Sequence, residues 1–533
     1  MGRKVGGREM DRQGVLPVRY EADEKGITTS LAGILPYLDL AVASKLVASI
    51  RRHMGLREGG WDDVSMVLTI VLLNCAGGTR VADVEQLERD PGLRHLMRRM
   101  QLSCLCRRER RELERQWKKA EARGEKVRAF PSPSSVFRYL DRFHDAKAET
   151  AAREAVKRAG RKAVIVPETE ALRGLWRVVQ DQLAFLYARI GGETIATLDL
   201  DATLVETFKA DALFCYKHFR AYQPLNVFWK ELGVMVYSQF RDGNVPAGYA
   251  ITEVLVRALD MLPKALTTVQ IRSDTAGYDW DFLRYCAEGK HPRFGRIDFA
   301  VGADVTEELR KEVARLAATA WAPLVRRLAD QDILTEQEWA EVEFVPNAAA
   351  HTKKGPTYRF VVTREELGAQ QTLPDVQDER PQVSLPFPTM EMTAKDGTAR
   401  RYKVYALVTT LEGPGDQIIW WLRERCGRSE EVHAVMKNDL AGGTLPSKRF
   451  GANAAWWALM IVSLNLNVTM QRLVLRGTWV HRRMKTIRFH ITHIAGRFVY
   501  HARQLILRVN PHAYEELRRM RARIIELAAE PAG

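Results

Sequence analysis

The sequence predicts an α/β core interrupted by a β-rich insertion and flanked by mainly helical N- and C-terminal regions. Three observations predict it. From Gly192 onward, apolar runs of strand length alternate with stretches of helical period. Between 340 and 408 the helical period vanishes, and short β-rich runs are separated by Pro- and Gly-rich loops. Before 190 and after about Asp416, helical periodicity dominates.

In chain order, residues 28–100 read as helices. Apolar periodicity covers Leu31–Ile50, a polar break follows at Arg57–Asp63, and an apolar helix over Val64–Cys75 stops at Gly77-Gly78. Residues 94–128 change character, with 13 Lys/Arg against 5 Asp/Glu. Next comes Phe130-Pro131-Ser132-Pro133-Ser134-Ser135-Val136, which opens a short helix with Ser132 as N-cap and Pro133 in its first turn. On that helix Arg138 and Arg142 share a face, while Val136, Tyr139, Leu140 and Phe143 supply anchors. A capped helix with a basic outer face is how many recognition helices meet a DNA groove. Residues 1–145 are therefore expected to be a helical DNA-binding region and 146–190 a helical connector.

The core is expected in two parts, 191–310 and 409–470, split by the insertion at 311–408. In the first part Thr194–Leu200 is an apolar run ending in Asp201, and Leu225–Phe240 offers one or two further strands. A helix (Thr252–Leu262), a strand (Thr268–Ile271), a helix (Trp280–Ala287) and a strand (Arg296–Val301) follow, a pattern that implies parallel pairing. In the insertion, Val342–Phe344, Tyr358–Val362 and Tyr402–Val408 read as strands. Residues 471–533 form a basic helical C-terminal region.

Charge narrows the function. Lys and Arg number 81 and Asp and Glu 66, a net charge of +15 over 533 residues, which attracts a polyanion such as nucleic acid. Part of the surplus lies in 471–527, where 13 Lys/Arg face 3 Asp/Glu and Arg482 and Arg483 are expected to contact phosphates. The six cysteines are scattered and suggest a reducing compartment rather than a disulfide framework. Cys104 and Cys106 with His95 lack an evident fourth ligand for zinc. The start of the sequence has no apolar core of a signal peptide. The apolar stretches Val64–Cys75 and Trp456–Met470 fall short of the ~20 residues of a membrane span, so a soluble cytoplasmic protein is expected.

Carboxylates at three places in this scheme stand where chemistry would need them. Asp199 and Asp201 lie two residues apart on a strand and face the same side. Asp274 ends the next buried strand and precedes a Gly-containing turn, and ligands of open α/β sheets bind at such strand ends. Glu430 lies on a helix, with Lys437 two turns further along the same face. Hard carboxylate oxygens suit Mg²⁺ or Mn²⁺, and two such ions can activate the attacking oxygen and stabilise the leaving one in phosphoryl transfer.

The segments carrying these acids resemble those of insertion-sequence DDE transposases, whose core is RNase H-like. Leu198-Asp199-Leu200-Asp201-Ala202-Thr203 is similar to their first-aspartate strand, and Arg272-Ser273-Asp274 with Gly277-Tyr278 to their second-aspartate motif. Glu430 with Lys437, Asn438 and Asp439 is similar to their glutamate helix, although the arginine expected four residues before the glutamate is here Cys426, between Arg425 and Arg428. Tyr222-Gln223-Pro224-Leu225 and Arg241-Asp242-Gly243-Asn244 resemble stretches of the bacterial "thirteen-eighty" insertion-sequence family. The resemblance implies Asp201, Asp274 and Glu430 as catalytic metal ligands for two Mg²⁺ or Mn²⁺ ions. It also implies Arg425, Arg428 and Lys437 as DNA contacts beside Arg138, Arg142, Arg482 and Arg483. The implied partners are terminal repeats and target DNA, bound by a homodimer. Glu431 is the neighbouring alternative to Glu430, and the spacing to Lys437 favours Glu430. A metal nuclease on the same fold and a non-catalytic DNA-binding regulator are the competing functions.

Overall fold

The computed structural model describes residues 26–58, 60–103, 105–328, 331–346, 358–367, 388–502 and 504–529. Residues 1–25 and Cys104 lie outside them, and with Cys104 the zinc idea. Of the other two residues weighed for zinc, Cys106 is exposed and His95 is engaged by the Tyr500 hydroxyl at 2.6 Å.

A short strand β1 (Ile27–Thr29) precedes eight helices that matter here: α1 (Leu35–Ala43), α2 (Leu46–His53), α3 (Asp63–Ala76), α4 (Pro91–Ser103), α5 (Arg107–Ala122), α6 (Pro133–Asp141), α7 (Ala146–Arg158) and α8 (Glu170–Ile190). Local sequence sets their ends. Asp62 caps α3, which stops at Gly77 in the left-handed region (φ 95°). Ser132 caps α6 through the Ser135 amide with Pro133 in the first turn, as the sequence predicts.

The sheet follows: β2 (Ile195–Ala202), β3 (Leu225–Trp229), β4 (Val234–Gln239), helix α9 (Ile251–Met261), β5 (Thr268–Ser273), α10 (Trp280–Ala287) and β6 (Asp298–Ala303). The insertion adds β7 (Ala322–Arg327), β8 (Asp332–Val342), β9 (Arg359–Glu366), β10 (Thr389–Thr393) and β11 (Ala399–Thr409). All belong to one ten-stranded mixed sheet, ordered β7-β8-β9-β11-β6-β5-β2-β3-β4, with β10 paired to β11. β2 is antiparallel to β3, and β3 to β4, whereas β2, β5 and β6 run parallel. The insertion thus extends the core sheet, because β11 pairs with β6 from Ala300↔Thr409 to Ala303↔Ala406. Register between strands so far apart in sequence is a non-local property that strand patterns do not carry.

After the sheet come helices α11 (Gly415–Ala434) and α12 (Phe450–Thr469), strands β12 (Gly496–His501) and β13 (Gln504–Arg508), and helix α13 (Pro511–Ala529). Every residue of α12 is buried. One apolar core joins α1–α4, α6, α8, α12 and the sheet, and α13 packs on α1. β1 closes a small sheet with β12 and β13, so the first described strand folds against strands that follow α12.

α12 corrects one expectation. With the turn that continues it, the rod runs 26 residues, Phe450–Leu475, long and apolar enough to cross a membrane, yet 94% of its most apolar window is buried inside the protein. Its polar residues are the fasteners. Asn465 exchanges hydrogen bonds with both backbone groups of Met235 on β4 (3.0 and 2.9 Å), and Asn467 accepts from Tyr37 on α1 (2.7 Å). Ser463 accepts from Asn74 on α3 (3.0 Å). The asparagines that interrupt the apolar run therefore orient the central helix between sheet and helical layer.

α11 positions the site. Its Ile418, Ile419 and Leu422 form an apolar cluster with Ala300, Leu324, Val361 and Leu407 of the sheet, and Trp420 Nε1 donates to Val325 O (2.7 Å). A Cβ at Gly415 would stand 2.4 Å from the Trp339 ring, so glycine permits this close approach.

Candidate active site

The pairing of β2 with β5 explains the 73-residue spacing of the first two aspartates. Parallel register matches Ile195↔Thr268, Asp199↔Arg272 and Leu200↔Ser273, each 73 apart, which sets Asp201 level with Asp274 just past the end of the ladder. Asp274 caps the turn Thr275–Gly277, its carboxylate accepting from the Ala276 amide at 3.0 Å. Opposite Asp201 on β3 stands Asn226.

α11 lies across this face. Arg425 Nη1 is 3.1 Å from Asp201 Oδ2, and Nη2 is 3.9 Å from Asp274 Oδ2, so one guanidinium bridges both acids. Burial pushes the Asp201 carboxyl up to about 6; Arg425 opposes this, while Asp274 and Asp199 add to it through like charge. Asp201 is thus a strained anion even with its arginine.

A relay of hydrogen bonds runs from the core to His433, beside Asp201. Trp457 Nε1 donates to Ser238 Oγ (2.8 Å), Ser238 Oγ to Asn226 Oδ1 (2.6 Å), and the Asn226 amide to His433 Nε2 (3.0 Å). Burial, then Lys437 and Arg425, push His433 down to about 4, so its ring is neutral at pH 7. A neutral ring accepting at Nε2 carries its proton on Nδ1, which faces Asp201 Oδ2 at 3.9 Å. This contact is between a dipole and an anion, not two ions.

Asp199 takes a separate part. Arg272 grips it bidentately at 2.6 and 2.9 Å, with both side chains fully buried. Arg272 Nη1 also donates to Trp421 O at 2.6 Å, which ties α11 to the sheet one turn before Arg425.

The remaining sequence-predicted residues fall in several places. Glu430 is exposed on α11, one turn beyond Cys426, which lines a cleft with Arg425 and Thr275, the residue after Asp274. Glu431 is also exposed, on the far side of the helix. Among the described residues no group of three or more His, Cys, Asp or Glu stands close enough together to share a metal ion. Arg425, expected to meet DNA, is buried and held by the aspartates. Lys437 is half-buried and donates to Leu204 O (3.4 Å). Arg428 is half-buried, near enough to Arg472 for their charges to oppose. Arg138, Arg142 and Arg482 are exposed. Arg483 instead pairs with Asp439 (3.4 Å) and anchors the turn after α11.

Sequence reasoning missed the roles of Asn226, Arg272 and His433. Signals existed: Asn226 is the lone amide in an apolar strand, and residues 422, 425, 429 and 433 share one helical face.

Opposed carboxylates at the ends of adjacent parallel strands define an acid-centred α/β protein. Comparison with known families gives the particular one: residues 21–383 match the family described as Transposase DDE domain group 1, and the chain belongs to it. The match contains Asp201 and Asp274 and ends before α11. No match was found among curated proteins.

Asp201 also yields a stability prediction. A carboxylate raised from 3.8 to about 6 holds a proton in the folded state that the unfolded chain has lost, so stability falls as pH rises from about 4 to 6. Above 6 the cost is complete, roughly 3 kcal/mol at ~1.4 kcal/mol per pKa unit. Asp201→Asn removes that charge. In metal-free buffer at pH 7 it is expected to raise the urea midpoint, and the advantage should vanish near pH 4. A lower midpoint at pH 7 would show that pairing with Arg425 outweighs burial.

Proposed function

We propose that this chain cleaves DNA at the ends of an insertion sequence and joins them to target DNA by metal-assisted phosphoryl transfer. The observation that carries this is the opposition of Asp201 and Asp274 across adjacent strand ends, both facing Arg425. The strand order β4-β3-β2-β5-β6, three antiparallel strands continued by two parallel ones, supports reading the core as RNase H-like. Resemblance to the "thirteen-eighty" insertion-sequence family fits the same reading.

The donor chemistry suits Mg²⁺ or Mn²⁺. Asp201 and Asp274 offer hard oxygens whose mutual repulsion a cation relieves, and Glu430 would be the third ligand. When bound, such ions lower the pKa of the attacking hydroxyl and stabilise charge on the leaving oxygen. The protein's own residues do the rest. The Ser238–Asn226 relay orients the His433 ring beside Asp201, and Arg272 fixes the height of α11 against β2. Arg425, once its acids are otherwise neutralised, would be a guanidinium at the acidic site able to bind a scissile phosphate bidentately.

The test is incubation of the purified chain with Mg²⁺ and DNA carrying the sequences that flank its own gene. Cut ends joined to a second DNA support the proposal. Cutting without joining would make it a nuclease, and binding without cutting a regulator.

A further inference from the structure

We propose that the loop between Glu206 and Ala221 is a stacking surface for an unpaired nucleobase of the DNA strand entering the acidic site. The inference rests on DNA being the substrate. The loop leaves β2 just after Asp201 and closes on itself through a two-residue ladder, Val205↔Tyr222 and Glu206↔Ala221. Its exposed residues are unusual: Phe208 is 97% exposed, Tyr216 69% and Phe214 57%. Three large aromatic rings turned to solvent on one loop mark a binding surface rather than a solvated turn.

The loop is also preformed. Its own Ala212 and Cys215 are buried, and Arg220 Nη1 donates to Ala210 O (2.8 Å) and Ala212 O (2.5 Å). The Cys215 amide donates to Phe219 O (2.9 Å). The Arg220 guanidinium lies 4.6 Å from the centre of the Phe214 ring. A loop ordered before binding loses little entropy on meeting its ligand.

Charge decides the class of ligand. Lys209, Lys217 and Arg220 belong to the loop and outnumber its one acid, Asp211, and two cations from elsewhere join them. Lys448 is near enough to Lys209, and Lys217 to Lys437, for like charge to matter. Lys437 also donates to Leu204 O, in the segment leading from Asp201 into the loop. Cations interleaved with aromatic faces fit a nucleic-acid strand, the cations tracking phosphate and the rings taking bases. A duplex keeps its base faces stacked inside, so the rings select an unpaired base.

The test uses the full chain with two DNA probes of equal length, one blunt and one ending in a five-nucleotide single-stranded overhang with 2-aminopurine. The native protein is expected to prefer the overhang and to change the 2-aminopurine fluorescence. Phe208→Ala, which touches no core, should lose that preference and signal, with overhang affinity falling about ten- to a hundredfold and blunt affinity unchanged. Phe208→Trp should retain both. Equal loss on both probes, or undiminished preference in Phe208→Ala, would overturn the proposal. If the native protein binds both probes alike while Asp201→Ala abolishes cleavage, the stacking surface fails and the transposase reading stands. If it binds neither, both fail.

Discussion

Asp274→Asn is expected to abolish strand cleavage, by on the order of a thousandfold or more, and to leave DNA binding nearly unchanged. Asparagine is the informative substitution because Asp274 also caps its turn by accepting from the Ala276 amide. An amide oxygen keeps that bond, whereas alanine would add about 1 kcal/mol of lost capping to the catalytic effect. What asparagine removes is the anion. Carboxylates repel a phosphate backbone, so they add little to ground-state affinity, and their contribution falls in the transition state, where charge develops on the phosphate and leaving oxygen. Asp201→Ala and Glu430→Ala should match Asp274→Asn, with Glu431→Gln retaining activity as the registry control. Single-turnover cleavage with Mg²⁺ and filter binding measure the two properties separately. Normal cleavage by Asp274→Asn would refute the acidic-site assignment. Normal cleavage by Glu430→Ala alone would move the third ligand elsewhere.

The parts of this site legible in the sequence are those fixed by local rules. Apolar runs ending in Asp201 and Asp274 announce strand ends, and their 73-residue spacing is the parallel register itself. The cap at Ser132 and the buried set Val136, Tyr139, Leu140 and Phe143 follow from side-chain chemistry and helical period. Tertiary pairing was not legible. Arg425 and Arg483 look like any surface arginine until Asp201, Asp274 and Asp439 are brought to them. The strands Ala322–Arg327 and Thr389–Thr393 are not legible because each is short and buries a single residue, Leu324 and Met392. The length of α12 was underestimated because small residues such as Gly451, Ala452 and Ala454, which let it pack centrally, weaken the apolar signal at its start.

Arg272→Ala is expected to destabilise the fold by about 3–5 kcal/mol, the cost of leaving a buried charge without its partner. Asp199 and Arg272 are both fully buried, and burial holds the Asp199 carboxyl above its ordinary value despite the bidentate pair. The ion pair is therefore a weak source of stability in itself, although removing either half is costly. Asp199→Ala should cost a similar amount, since it strands the guanidinium against the Trp421 ring and carbonyl. The double variant Asp199→Leu with Arg272→Met should recover most of the loss, because well-packed apolar side chains can replace a buried pair with little or no penalty. Activity should not recover with it. Arg272 also hydrogen-bonds Trp421 O and so sets the height of α11, and with it the approach of Arg425 to the aspartates. A rescued fold with impaired cleavage would separate this positioning role from stability. Equal recovery of the urea midpoint and of cleavage would show that packing alone places the helix.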